Sequence, residues 1–145
     1  MNCILVATDG SGGASRALDY AARRAKETKT DLLIANVIGG YGLPDKVLKQ
    51  FTRAEHAWFK EMLDSLSADL LAQAQKRARQ LGVANVRLES RQGEVAETLI
   101  EIAREARAEA IYAGKRGAGR IEGLLLGSVS QKLVSLAPLP VTIVP

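Results

Sequence analysis

Near the end of the chain, three glycines and a serine stand at fixed spacing. They read Gly114-Lys115-Arg116-Gly117, then nine residues, then Gly127-Ser128. Glycine lets backbone N–H groups approach a ligand that a Cβ would hold off. A Gly-Ser step opening a helix offers an anion unpaired N–H groups, a hydroxyl and the positive end of the helix dipole. The local charge suits an anion as well: residues 111–132 carry Lys115, Arg116, Arg120 and Lys132 against Glu122 alone. The pattern predicts a phosphate-bearing ligand lying over this loop.

Other phosphate motifs do not fit. The P-loop pattern G-x-x-x-x-G-K-[ST] is absent, since Gly114-Lys115 is followed by Arg116 and lacks the preceding glycine. Gly117-Ala118-Gly119 begins a dinucleotide fingerprint, but Glu122 takes the place of its last glycine. The run Asn36-Val37-Ile38 also lacks the acid that would hold a ribose in that manner. Ser11-Gly12-Gly13-Ala14-Ser15 resembles the S-G-G-x-D-S loop of ATP pyrophosphatases, with Ala14-Ser15 in place of its x-D-S ending. Its plainer reading is a turn leading into a helix. Catalytic side chains are few. His56, the only histidine, reads as a surface helix residue, and neither Ser128 nor Ser130 has a base placed to activate it. Asp9 is the one carboxylate well placed for a site, so no catalytic residue is assigned.

The elements that must position these residues alternate along the chain. Continuous apolar runs at Cys3–Thr8 and Asp31–Ile38 read as strands buried on both faces. Val86–Arg91 reads as a more exposed strand; Ala110–Ala113 and Val141–Val144 complete five. Helical periodicity covers Ala14–Lys29, Glu94–Arg107 and Ser128–Leu136, the last stopped by Pro138 and Pro140. Residues 45–81 form a helical, insertion-like segment. One helix of that length would run about 55 Å, so a break is expected near Ser65-Leu66-Ser67, where serines compete for the backbone.

Strands separated by helices imply right-handed crossovers and an α/β three-layer sandwich. The expected five-stranded parallel sheet has the order 3-2-1-4-5, a Rossmann-like arrangement. The connections then leave the first strand in opposite directions, and the crevice lies at the carboxyl ends of the first and fourth strands. Asp9 and Gly114 meet there.

The 145 residues, 47% hydrophobic and 25% charged, make one domain of ordinary size over 1–145. No stretch is long and apolar enough for a membrane span, and no signal peptide is evident, which points to the cytoplasm. The single cysteine, Cys3, lies in a strand pattern and reads as a buried structural thiol. The net charge of +4 is moderate. Phe51, Trp58 and Phe59, the only aromatics besides tyrosine, fall in one stretch and offer no stacking platform. Nucleic acid is therefore not an expected partner.

Val6-Ala7-Thr8-Asp9-Gly10-Ser11 with Arg16-Ala17-Leu18 resembles the start of a universal stress protein. Gly114-x2-Gly117-x9-Gly127-Ser128-Val129-Ser130 followed by Ala137-Pro138-Leu139-Pro140-Val141 resembles its end. The resemblance spans essentially the whole chain, least closely over 40–81, and brings the adenine nucleotide alpha hydrolase-like version of the fold. It implies ATP, with Mg2+, as the ligand. Gly114 and Gly117 would lie by the ribose and phosphates, and Gly127, Ser128, Val129 and Ser130 would hold the phosphate tail. Asp9 would sit near the adenine and ribose, and Val37 would offer backbone groups to the adenine edge. The resemblance also implies a homodimer paired through Val141–Val144, slow hydrolysis at most, and a regulatory role in stress response toward a protein partner that the residues do not identify. Lys115 departs from the small hydroxylated residue common at its position. A dimerisation or interaction module that keeps the loop only for packing is the alternative, and the pyrophosphatase-like enzyme a further one.

Replacing Gly117 by valine is expected to abolish nucleotide binding while leaving the far-ultraviolet circular dichroism unchanged. Titration of the variant at wild-type affinity would show the loop to be misassigned.

Overall fold

The computed structural model describes residues 2–39, 44–115 and 126–145. Five strands form one parallel sheet: β1 (Cys3–Ala7), β2 (Asp31–Ile38), β3 (Val86–Gln92), β4 (Ala108–Gly114) and β5 (Val141–Val144). Their order is β3-β2-β1-β4-β5, as the alternation of elements predicts. The helices are α1 (Gly12–Thr28), the short α2 (Asp45–Leu48), α3 (Arg53–Gln80), α4 (Val95–Glu105) and α5 (Ser128–Leu136).

Strand side chains alternate between the two faces of the sheet. Ile4, Val6, Leu32 and Ile34 pack with α1 and α3 in one apolar layer. Cys3, Leu5, Leu33, Ala35, Ile111 and Ala113 pack with α4 and α5 in the other. The α1 stripe is mostly alanine (Ala14, Ala17, Ala21, Ala22, Ala25), which lets this helix lie close on the sheet. Burial raises the pKa of the Cys3 thiol, in keeping with a structural residue.

The break expected near Ser65-Leu66-Ser67 does not occur. α3 runs unbroken for 28 residues, about 42 Å, and the interruption falls earlier, between α2 and Thr52. Thr52 starts α3 with a reciprocal capping box: its Oγ1 accepts from the Glu55 N–H, and the Glu55 carboxylate accepts from the Thr52 N–H. Ser67 does not disturb the helix because its hydroxyl donates to Asn36 on the sheet rather than bending back on its own backbone. Buried α3 residues begin at Ser67 and continue with Leu71, Ala74 and Ala78. The C-terminal half is thus the crossover between β2 and β3, and the N-terminal half extends the helix with no fully buried side chain. No helix among the described residues is long and apolar enough to cross a membrane.

Arg77 of α3 grips Asp19 of α1 through Nε and Nη2, both at 3.0 Å. Hydrogen bonding from that guanidinium holds the Asp19 carboxyl below its ordinary pKa. A lowered native pKa stabilises the fold above the unfolded value of about 3.9. The contribution is lost as pH falls through the native value. In urea denaturation, Asp19→Asn should be less stable than wild type at neutral pH by up to about 1 kcal/mol, because the pair is partly exposed. The difference should close at low pH.

Candidate functional site

The central strand stops before both of its neighbours. β1 ends at Ala7, opposite Ala35, while β2 continues to Ile38. On the other side Val6 pairs with Tyr112 and β4 continues to Gly114. A notch therefore opens at the carboxyl end of β1, where the crossovers to the two sides diverge. On the α4/α5 face it deepens into a cavity of about 280 Å³, near the lower end of the range for ligand sites, about 300 Å³.

Seven of the eight residues singled out in the sequence line this cavity: Asp9, Val37, Gly114, Gly127, Ser128, Val129 and Ser130. The eighth, Gly117, lies outside the described residues. Sequence reasoning did not assign the apolar floor made by Ala7, Ala35, Val95, Leu99 and Ala113, or the wall residues Thr8, Ser11 and Ala14. The strand alternation could have found part of it, since Ala7, Ala35 and Val37 continue the odd-numbered α4/α5 face.

The two ends of the cavity differ chemically. At the β2 side the walls are apolar. Even-numbered residues of β2 direct their backbone groups toward β3, as the Leu32 N–H bond to Asn85 O shows. Odd-numbered ones face β1, as Asp31 does toward Asn2 O. Val37 therefore directs its N–H and C=O into the space past the end of β1. At the β4 side the wall is the first turn of α5. Its N-cap is Gly127, which brings no side-chain acceptor to the amides of Ser128, Val129 and Ser130. The cavity thus runs from a slot with a backbone donor and acceptor to a helix N-terminus suited to an anion. β2 and β4 lie two strand spacings apart, about 10 Å.

Hydrogen bonds fix the walls. Asp9 Oδ1 accepts from the Ser11 N–H at 2.9 Å, and Ser11 Oγ caps α1 by accepting from the Ala14 N–H. Ser15 Oγ donates back to Ser11 O. The segment Ser11–Ser15 is thus a helix start with both hydroxyls engaged. Ser130, 3% exposed, shares its one hydroxyl proton between Gly114 O and Lys115 O, so its side chain braces the loop and its amide remains on the cavity side. Glu94 caps α4 through the Glu97 N–H and pairs with Lys132 of α5 at 3.2 Å. The backbone bond first, then Lys132, lowers the Glu94 pKa and holds these two helices on one rim as a neutralised pair.

Gly114 has a different reason from the one its motif suggests. A Cβ there would sit 2.8 Å from Gly13 C and 2.9 Å from Gly13 O. Those atoms belong to the first turn of α1, on the sheet face opposite the cavity floor. The missing side chain makes room for a helix, and the backbone of the same residue lines the site.

A family model described as "Universal stress protein family" matches residues 1–145. The universal stress protein YxiE of Bacillus subtilis is 30% identical over 146 residues, covering 99% of this chain and 98% of that protein. Among solved structures, the universal stress protein UspA from Lactobacillus plantarum superposes with a TM-score of 0.83 at 22% identity, covering 99% of this chain and 97% of that one. A universal stress protein from Archaeoglobus fulgidus in complex with dAMP superposes with a TM-score of 0.68 at 23% identity, covering 100% and 98%.

Gly114→Ala should destabilise the protein by about 1–3 kcal/mol, the usual cost of overpacking, because backbone atoms are slow to give way. Urea denaturation measures it. An unchanged midpoint would show that α1 does not press on β4 as described.

Proposed function

Because the chain belongs to the universal stress protein family, we propose that it is an ATP-binding regulatory module rather than an enzyme with fast turnover. One observation carries the reading: a single cavity joins an apolar slot at Val37 to the uncapped first turn of α5. The adenine would lie against Val37 and the apolar floor, the ribose near Asp9. The phosphates would accept from the amides of Ser128, Val129 and Ser130 and from the Ser128 hydroxyl. Gly117 completes the loop by its place in the sequence pattern. The dAMP complex of the Archaeoglobus fulgidus protein supports an adenine nucleotide as the ligand class.

Mg2+ would arrive on the triphosphate, with its remaining positions filled by water and at most one carboxylate, Asp9. Among the described residues no three His, Cys, Asp or Glu side chains cluster. The same wall supports slow hydrolysis at most. Asp9 is the only titratable side chain among the described residues that line the cavity, and phosphoryl transfer needs both positioning and a group that orients or deprotonates water. Among the described residues β5 is an edge strand, paired with β4 alone. An unpaired edge is a ready template for a second copy, which supports a homodimer formed through Val141–Val144.

Protein purified without added nucleotide, then denatured, should release ATP or ADP detectable by mass spectrometry. The emptied protein should titrate with magnesium-ATP at one site per chain. Failure of both measurements would favour the alternative, an interaction module that keeps the loop for packing.

A further inference from the structure

Between Leu32 and Ile38 of β2, Asn36 is the one polar residue, and it does something specific to the end of β1. Thr8 N–H still bonds Ala35 O at 2.9 Å, continuing the β1–β2 ladder one step past the strand. In a parallel ladder the next bond would run from the Val37 N–H to Thr8 O. It is not made among the described residues. Instead Asn36 Nδ2 donates to Thr8 O at 2.8 Å.

The direction of every proton in this group follows from chemistry. Thr8 O can only accept, so the Asn36 amide must present its nitrogen there and its oxygen to α3. Asn36 Oδ1 lies 2.7 Å from Ser67 Oγ, so the Ser67 hydroxyl donates to it. With that proton committed, the 2.8 Å contact between Ser67 Oγ and Ser90 Oγ must be donated by Ser90. The chain Ser90 to Ser67 to Asn36 is polarised in one sense, and Ser67 is 3% exposed, which strengthens such a series.

We propose that Asn36 is a positioning residue for base recognition: its side chain lies on the α1/α3 face, where it meets Ser67, so its bond draws Thr8 O out of the sheet plane, ends the ladder early and leaves the Val37 N–H directed into the cavity. The chemistry selected is a purine edge with an acceptor where that N–H points and a donor for the Val37 C=O, which is adenine. Guanine presents a donor and an acceptor in the reverse sense and would leave buried groups unpaired. This inference rests on the nucleotide reading for its ligand, but its structural half stands apart from any ligand.

Two variants test it. Asn36→Leu removes the donor with little change in volume, and Asn36→Asp keeps an acceptor for Ser67 while being unable to donate to Thr8. In either, Thr8 O loses the bond that draws it out of the sheet plane and can align with the Val37 N–H. Hydrogen exchange at the Val37 amide in nucleotide-free protein should slow by on the order of tenfold or more, since an open amide becomes a ladder amide. The preference for ATP over GTP by titration calorimetry should fall by a similar factor toward parity. Exchange at Val37 that is unchanged in a folded variant, or already as slow as at Ala35 in wild type, overturns the proposal. So does a loss of affinity equal for ATP and GTP, the signature of a merely structural role. If the wild type binds neither nucleotide while the Val37 amide behaves as expected, the nucleotide reading fails and the ladder-ending role of Asn36 stands.

Discussion

A central strand shorter than both neighbours is the constraint on which the rest of the molecule depends. β1 is buried on both faces and fixes the register of β2 and β4. Where it stops, two strands continue with nothing between them. Packing cannot close that gap, because the chain leaves β1 for α1 on one face of the sheet and β4 for α5 on the other, in opposite directions. The residues beyond Ala7 must therefore end a ladder, turn, and begin a helix within a few positions. Thr8, Asp9 and Ser11 do this through short-range bonds: Thr8 N–H to Ala35 O, Ser11 N–H to Asp9 Oδ1, and Ser11 Oγ capping α1.

Much of this was legible because it follows from hydrophobic periodicity. The continuous apolar run in Asp31–Ile38 and the glycine-serine step at the start of α5 are local signals, and local signals survive folding. The strand order followed from connection rules, and it brought Asp9 and Gly114 together without any contact being visible in the sequence. What failed was also physical. The expected break near Ser65-Ser67 assumed that a serine inside a helix competes for its own backbone. Ser67 instead finds Asn36 and Ser90 across the interface, partners that exist only once β2 and β3 are side by side. Tertiary bonding overrode a local tendency.

Gly114 shows a second limit. Its motif suggests a ligand, and its surroundings show a helix: the first turn of α1 occupies the volume of the absent side chain. Both demands fall on one residue because the sheet is one residue thick, with α1 above and the cavity below. A sequence pattern records that a side chain is forbidden but not which side forbids it. Gly127 is the converse case. Its lack of a side chain leaves the first turn of α5 without a capping acceptor, and here the consequence lies on the cavity side.

The backbone around Lys115 joins the site to the edge of the sheet. Its N–H donates to Val144 O of β5 at 2.7 Å, and its C=O accepts from the Gly127 N–H at 2.8 Å and from the Ser130 hydroxyl at 3.0 Å. The backbone of one residue thus holds both the last residue of β5 and the cap of α5. A regulatory protein needs an element whose two arrangements a ligand binds with different affinity. These three bonds are a backbone route from the first turn of α5 to Val141–Val144. That physical connection is short, made of backbone, and independent of which side chain occupies position 115. It is therefore the first place to look for communication between a bound anion and a strand edge open to pairing.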